Sequence, residues 1–194
     1  MSTMDIFKMP SAMGITGRTS SITNAFVNSI IPRTEPTEEQ VAECLRILGL
    51  NAENLKCAYC GDPYTEWDHL RPIVENKKPT GYISDIYNLV PSCGKCNQSK
   101  RNQYWKNWIV SDVPNSPKRR ARSELDLKHL KLRIQKLEKY ENWKNVTRID
   151  FKSILGEELW SQHWKNCEKI HEMMKKAQKL AEQIRNKINS NYNG

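Results

Sequence analysis

The chain has 194 residues and a formal net charge of +9, from 31 lysine and arginine residues against 22 acidic ones. Its mean hydropathy of −0.76 and its 38% hydrophobic content indicate a modest core under a large polar surface. No apolar run is long enough to span a membrane and no signal peptide is evident, so we expect a cytoplasmic protein. A basic protein of this size most often binds a polyanion, although many basic proteins are merely basic.

The first 50 residues predict an arm followed by two helices. Residues 1–20 indicate an irregular arm, in which Arg18 either contacts DNA or belongs to a loop that feeds the next helix. Apolar residues at helical spacing predict a helix over 22–31. Thr37 begins a capping box, and Gly49 suits the end of this second helix.

Two Cys-x-x-Cys pairs, Cys57/Cys60 and Cys93/Cys96, are separated by 32 residues. Each pair directs two thiolates to one point, and two such pairs complete a tetrahedron around Zn²⁺. All four ligands come from the protein, so this zinc is structural. The alternative is disulfides or unrelated thiols, but disulfides are rare in the cytosol.

Side chains suited to hydrolysis lie between and after these cysteines. Asp68 and His69 occupy a stretch with strand character, and Asn97 follows Cys96 at the start of a predicted helix. A carboxylate and an amide oxygen are hard ligands suited to Mg²⁺. A neutral histidine beside that metal can take a proton from water. An Asp-His pair alone is usually a polar turn, but this combination indicates hydrolysis of phosphodiester bonds.

These residues resemble the HNH nucleases of the ββα-metal fold, in their zinc-bound four-cysteine form. The matching features, in the family's order, are Asp68-His69, Asn88-Leu89, and Cys96-Asn97 with Lys100. The resemblance implies that His69 is the general base and that Asp68 and Asn97 hold one catalytic Mg²⁺ or Mn²⁺. It also implies that Asn88 orients the segment carrying His69, and that the products carry 5′-phosphate and 3′-hydroxyl ends.

Three wider stretches, 14–19, 67–72 and 80–100, look similar to HNH-type restriction endonucleases of bacteria. This similarity implies a type II enzyme that cleaves double-stranded DNA at specific sites as a homodimer, in a bacterial cytoplasm with a cognate DNA methyltransferase. One alternative is another HNH DNA endonuclease, of the homing, phage or modified-DNA-directed kind. The other is a non-catalytic zinc-bound DNA-binding module, which would have no need of Asp68, His69 and Asn97 together.

Beyond the cysteines, residues 95–110 predict one helix that carries two tryptophans for packing. Residues 112–122 predict a basic linker, and Ser123 caps a further helix that reaches about residue 143. A last helix over about 157–189 shows a heptad seam, which packs on the preceding helix or on a second subunit.

Basic residues are concentrated after the cysteines, because residues 118–148 hold eleven lysines and arginines against four acids. Charge so concentrated predicts contact with the phosphate backbone of double-stranded DNA. The candidate DNA contacts are Arg18, Arg71, Lys77, Lys78, Lys100, Arg101, Lys118, Arg119, Arg120 and Arg122.

The expected fold is α+β, with a zinc-stabilised ββα-metal core at residues 51–111. An N-terminal arm and helices occupy residues 1–50. A basic linker and a C-terminal helical region, for DNA binding and dimerisation, occupy residues 112–194.

Overall fold

The computed structural model describes residues 6–192 and has a mixed α+β architecture, which confirms the expected fold class. A 3₁₀ turn at Ile15–Arg18 comes first, within the expected arm, whose residues 1–5 lie outside the described part. The helices are α1 (Thr19–Ser29), α2 (Glu38–Leu48), α3 (Gly94–Lys100), α4 (Trp105–Ile109), α5 (Pro117–Arg120), α6 (Glu124–Glu141) and α7 (Phe151–Tyr192). The strands are β1 (Glu66–His69), β2 (Val74–Glu75), β3 (Lys78–Pro79) and β4 (Leu89–Ser92).

The strands form two antiparallel pairs. β1 pairs with β4 in a register that sets His69 opposite Leu89 and Asp68 opposite Val90. β2 and β3 form a short hairpin, whose two turn residues Asn76 and Lys77 both have positive φ, as tight hairpin turns require. Because α3 begins two residues after β4, the pair β1–β4 and α3 make up a ββα unit.

The capping box predicted for α2 is confirmed. The Thr37 hydroxyl accepts a hydrogen bond from the Gln40 amide at 3.3 Å, and the Gln40 side chain accepts one from the Thr37 amide at 2.9 Å. Gly49 ends the helix with φ 61°, a conformation that favours glycine. Cys44 and Leu48 of α2 are buried in the same apolar cluster as Leu130 and Leu137 of α6, so these helices flank the cysteine-containing core.

The prediction of a single helix over 95–110 is wrong, because α3 and α4 are separate helices. Arg101 ends α3 with φ 50° and ψ −131°, which no helix can continue. The packing role predicted for the two tryptophans is confirmed, since Trp105 and Trp108 are both fully buried. Trp108 meets the Tyr59 ring edge-on, with the ring centroids 5.1 Å apart.

The stretch predicted as a linker, 112–122, is folded. It contains the short helix α5, and Ser116 at its N-cap is fully buried. The Ser116 hydroxyl donates to the Ser111 carbonyl at 2.6 Å and accepts from the Arg119 amide at 3.2 Å. The predicted start of the next helix is confirmed, since Ser123 closes a capping box at α6.

The described residues fall into two compact units. One combines those of Met1–Phe26 and Leu155–Gly194, and the other is Val27–Ile154. Within the second unit, α2, the cysteine core and α6 lie together. Gly156, with φ 75°, interrupts α7 close to the boundary. No helix among the described residues is long and apolar enough to cross a membrane.

Within the first unit, the long helix α7 packs against N-terminal residues. The Gln178 side chain accepts a hydrogen bond from the Ile15 amide at 2.7 Å, and His163 Nε2 lies 3.0 Å from the Phe26 carbonyl. The heptad seam therefore has a partner inside its own unit over its first half, where Cys167 is buried. Ile184 and Ile188, later in the seam, are more than half exposed.

Candidate active site

The four cysteines predicted to hold zinc converge. Their Sγ atoms all lie within 4.8 Å of one another, and Cys60 Sγ is 3.7 Å from Cys93 Sγ. A tetrahedral zinc with bonds of about 2.3 Å to sulfur separates its ligands by about 3.8 Å, so the cluster has the dimensions of such a site. None of the four forms a disulfide. The four thiols, their spacing and their burial fit a structural Zn²⁺.

Local backbone structure positions each of the two Cys-x-x-Cys pairs. Cys57 and Cys60 lie on a tight turn in which the Gly61 amide donates to the Cys57 carbonyl at 2.9 Å. Gly61 has φ 83°, a backbone conformation that side chains with a Cβ rarely adopt, so this turn favours glycine. Cys93 is the N-cap of α3, and Cys96 follows within its first turn. The zinc site therefore ties the start of α3 to a turn that precedes β1.

Arg120, a candidate DNA contact, lies against this cluster. Its guanidinium donates to Cys96 Sγ at 3.0 Å and to the Asp62 carboxylate at 2.9 Å. Four thiolates around Zn²⁺ carry a net charge of −2, which a neighbouring guanidinium partly offsets. The structure thus places the Arg120 guanidinium against the cysteine cluster.

Asp68 and His69, adjacent on β1, have different surroundings. Asp68 is 5% exposed, and its Oδ2 accepts from the Tyr59 hydroxyl at 2.7 Å. Lys100, which is 1% exposed, forms an ion pair with the same oxygen at 3.1 Å. Burial raises the pKa of Asp68, although the Lys100 charge and the Tyr59 hydroxyl favour its ionised form.

His69 lies on the other side of the strand and is half-buried. Its Nε2 is 2.7 Å from the Ser84 hydroxyl, which leaves Nδ1 as the nitrogen that Ser84 does not engage. Burial, together with the charges of Lys100 and Arg33, lowers the pKa of His69 to about 4. The ring is therefore neutral near pH 7, the state in which it can accept a proton.

Asn88 is fully buried and joins two segments. Its Oδ1 accepts from the Arg71 amide at 2.8 Å, and its Nδ2 donates to the carbonyls of Arg71 and Ile83 at 3.2 and 3.3 Å. Its own carbonyl accepts from the Leu70 amide at 2.8 Å. These bonds fix the chain immediately after His69.

Asn97 is the fourth residue of α3 and is half-buried. It precedes Lys100 by three positions, so the two residues lie on one helix face. Because Lys100 reaches Asp68, that face meets β1. Among the described residues, no hydrogen bond engages the Asn97 side chain, so its amide oxygen is available to a ligand.

Comparison with known proteins agrees with this geometry. Residues 57–103 match the family described as HNH endonuclease. The chain carries an HNH domain. A stretch of 71 residues is 37% identical to the CRISPR-associated endonuclease Cas9 of Corynebacterium diphtheriae. The match covers 34% of this chain and 6% of the length of that Cas9, and no solved structure matches the chain.

The HNH domain offers donors that fit a hard divalent cation, as the family implies. Asp68 lies on β1, and Asn97 lies on the helix whose Lys100 reaches Asp68. A carboxylate and an amide oxygen are both ligands of the kind that Mg²⁺ and Mn²⁺ prefer. Lys100 already shows that this carboxylate attracts a cation. The residues present therefore fit the metal.

Two further candidate DNA contacts are engaged inside the protein. Arg71 is buried, donates to the Glu141 carbonyl at 2.7 Å and pairs with the Glu141 carboxylate at 3.5 Å. Lys100 is buried against Asp68. Neither presents its charge to solvent, contrary to the expectation. The other candidates, apart from Arg120, are exposed: Arg18, Lys77, Lys78, Arg101, Lys118, Arg119 and Arg122.

Sequence reasoning missed the partners that hold the two adjacent residues of β1. Tyr59 stands two residues after Cys57, and Ser84 belongs to the stretch that resembles restriction enzymes, but neither position indicated its contact. Arg33 was missed altogether, because it precedes the HNH domain by more than 20 residues.

Proposed function

We propose that this protein is a metal-dependent endonuclease that hydrolyses phosphodiester bonds of double-stranded DNA, with His69 as the general base. The observation that supports this most strongly is the placement of a neutral, half-buried histidine on the strand that also carries Asp68. Asn97, on the face of α3 that meets this strand, adds the second oxygen donor. A DNA-binding module without catalysis has no need of this combination.

The chain's own residues account for the proton transfer. His69 Nδ1 takes the proton as the water oxygen bonds to phosphorus and the bond from phosphorus to the 3′-oxygen breaks. The departing 3′-oxygen takes a proton from solvent. Ser84 holds the ring through Nε2, and Asn88 fixes the chain beyond it. Asp68 and Asn97 would hold Mg²⁺ or Mn²⁺, which would supply charge stabilisation for the phosphate and the leaving oxygen. The products carry 5′-phosphate and 3′-hydroxyl ends.

Exposed basic side chains supply a surface for the DNA backbone. Arg120 contacts the cysteine cluster and is not counted here. From α5 to the end of α6, six lysines and arginines are exposed: Lys118, Arg119, Arg122, Lys128, Lys131 and Lys139. Such a surface neutralises phosphates without reading sequence, so it supports binding rather than specificity.

The finer proposal is a type II restriction endonuclease that acts as a homodimer. One HNH domain provides one set of catalytic residues, and cleavage of both strands of a palindromic site is achieved by a two-fold dimer. The exposed part of the α7 seam, with Ile184 and Ile188, is the candidate interface. We expect such an enzyme to act in a bacterial cytoplasm that also contains a methyltransferase for the same site.

The likeness to a segment of Cas9 favours a second candidate. This is an HNH DNA endonuclease that shares the chemistry but chooses its target differently, as homing, phage or modified-DNA-directed enzymes do.

Digestion of phage and plasmid DNA by the purified protein, with Mg²⁺ or with EDTA, separates these proposals. Discrete bands that require Mg²⁺ support the restriction enzyme, and the mapped ends give the site and the stagger. A smear that requires Mg²⁺ supports an endonuclease but contradicts the restriction enzyme. DNA that stays intact, whether or not it is methylated, contradicts both.

A further inference from the structure

A segment outside the HNH domain borders His69. Residues 32–34 run beside Ser84 in a short parallel bridge that sets Arg33 opposite Ser84. The Ser84 amide donates to the Pro32 carbonyl at 3.1 Å, and the Thr34 amide donates to the Ser84 carbonyl at 3.0 Å. Both the amide and the carbonyl of Ser84, whose hydroxyl contacts His69, are therefore hydrogen-bonded to the segment around Arg33.

The β-bridge between Arg33 and Ser84 determines the direction of the Arg33 side chain. Residues directly opposite each other in a β-bridge extend their side chains on the same side of the ladder. The Ser84 hydroxyl lies 2.7 Å from His69 Nε2, so the side of the bridge that Ser84 occupies is the side of the His69 ring. Arg33 leaves the backbone toward the same side as the His69 ring.

The Arg33 charge is available for a ligand. Arg33 is exposed, and no carboxylate or hydrogen-bond acceptor engages its guanidinium within residues 6–192. Lys100, the cation that reaches Asp68 on the same strand as His69, is buried and paired with that carboxylate. Of these two cations, Arg33 is the one that can meet an incoming anion.

We propose that Arg33 binds the phosphodiester group attacked at His69, and that Ser84 positions both the His69 ring and the Arg33 backbone. The inference rests on the proposed endonuclease function. A guanidinium binds two phosphate oxygens in a fork geometry that a lysine ammonium lacks. Bound there, Arg33 stabilises the negative charge that develops on the non-bridging oxygens as water attacks.

The test for Arg33 follows nicking of supercoiled plasmid DNA in Mg²⁺ by wild type, Arg33→Gln and Arg33→Lys. Loss of one positioned donor typically lowers kcat by about 10²-fold, which we expect for Arg33→Gln. Arg33→Lys keeps the positive charge but cannot bind two phosphate oxygens in a fork geometry. We expect its kcat to lie between those of wild type and Arg33→Gln. The matched control is Arg46→Gln on α2, an exposed arginine paired only with Glu43 at the surface, which should nick at the wild-type rate.

Ser84→Ala and Ser84→Thr test the positioning role. Ser84→Ala removes the partner of Nε2, so we expect kcat to fall about 10-fold with KM unchanged, and Ser84→Thr to restore most of it. Equal losses in the two variants would contradict a role for the hydroxyl.

The results distinguish this inference from the function on which it rests. A wild-type protein that nicks the plasmid, together with an equally active Arg33→Gln, overturns the role of Arg33 and leaves the endonuclease intact. A wild-type protein that cleaves no DNA overturns the proposed function, and the inference falls with it. Unfolding curves and zinc content that match those of wild type show that each variant is folded.

Discussion

At the scale of single residues, β1 gives two neighbours opposite environments. Side chains alternate across a strand, so Asp68 meets Tyr59 and Lys100 in the interior while His69 meets Ser84 near the surface. In the proposed mechanism, this dipeptide supplies both an oxygen donor, Asp68, and a proton acceptor, His69.

The lowered pKa of His69 predicts a pH-dependent contribution to stability. Between the unfolded pKa of 6.5 and the folded value of about 4, the unfolded chain binds more protons than the folded one. Stability contributed by neutral His69 is therefore complete at pH 7 and declines as the pH falls through this window, by about 2 kcal/mol at pH 5.

His69→Gln keeps a polar side chain without a titrating group and is the comparison. Urea unfolding at pH 7, 6 and 5, without added Mg²⁺, should show wild type losing stability relative to His69→Gln as the pH falls. Since both proteins contain the same zinc cysteines, other titrations cancel in the difference. A difference that stays constant from pH 7 to 5 would show that burial does not shift this histidine.

The candidate catalytic residues could be proposed from the sequence, but their partners could not. His69 and Asn97 stand at fixed positions relative to the cysteines, and the structure places them on neighbouring elements. Ser84 and Arg33 contact this site through a bridge between segments about 50 residues apart. Local sequence carries no signal of such a long-range pairing.

At the scale of elements, the end of α3 is unusual. Arg101 adopts φ 50° and ψ −131° without being glycine, a conformation that typically costs about 1–3 kcal/mol. The helical pattern continued through this position and no glycine or proline marked the break, so the sequence predicted one helix instead of two. The break directs the chain from the cysteine cluster to the buried tryptophans of α4.

Replacing Arg101 with glycine should therefore stabilise the protein. We expect Arg101→Gly to raise the free energy of unfolding by about 1 kcal/mol, because glycine adopts this conformation without strain. Gln98→Gly, within α3, is the control and should lower it by about 1 kcal/mol. Urea denaturation measures both, and a destabilised Arg101→Gly would mean that the side chain contributes more than the strain costs.

At the scale of the whole molecule, the cysteine cluster joins distant parts of the unit Val27–Ile154. It connects the turn at Cys57, the start of α3 and, through Arg120, the helix α5. Cysteine spacing alone predicted the cluster, since two Cys-x-x-Cys pairs are typical of a structural Zn²⁺ site. The participation of residues 112–122 was not predicted, because their prolines and charges indicated a linker.

Zinc retention should depend on Arg120. We expect the Arg120→Ala variant to bind zinc about 10-fold more weakly than wild type, because the thiolates lose a hydrogen bond and a compensating charge. The variant should therefore release zinc to a chelator more readily. Arg119→Ala, on the same short helix but exposed, is the matched control. Equal zinc affinity in the two variants, measured by competition with a chromogenic chelator, would show that Arg120 does not stabilise the cluster.

The central claim is that His69 is the base of a DNA-cleaving site. The most direct test compares wild type, His69→Ala and the control His129→Ala, an exposed histidine of α6, in Mg²⁺-dependent cleavage and in DNA binding without Mg²⁺. We predict that His69→Ala lowers cleavage by about 10²-fold or more, leaves binding unchanged, and that His129→Ala behaves as wild type. A His69→Ala variant that cleaves at the wild-type rate would contradict the assignment of the base and the mechanism built on it.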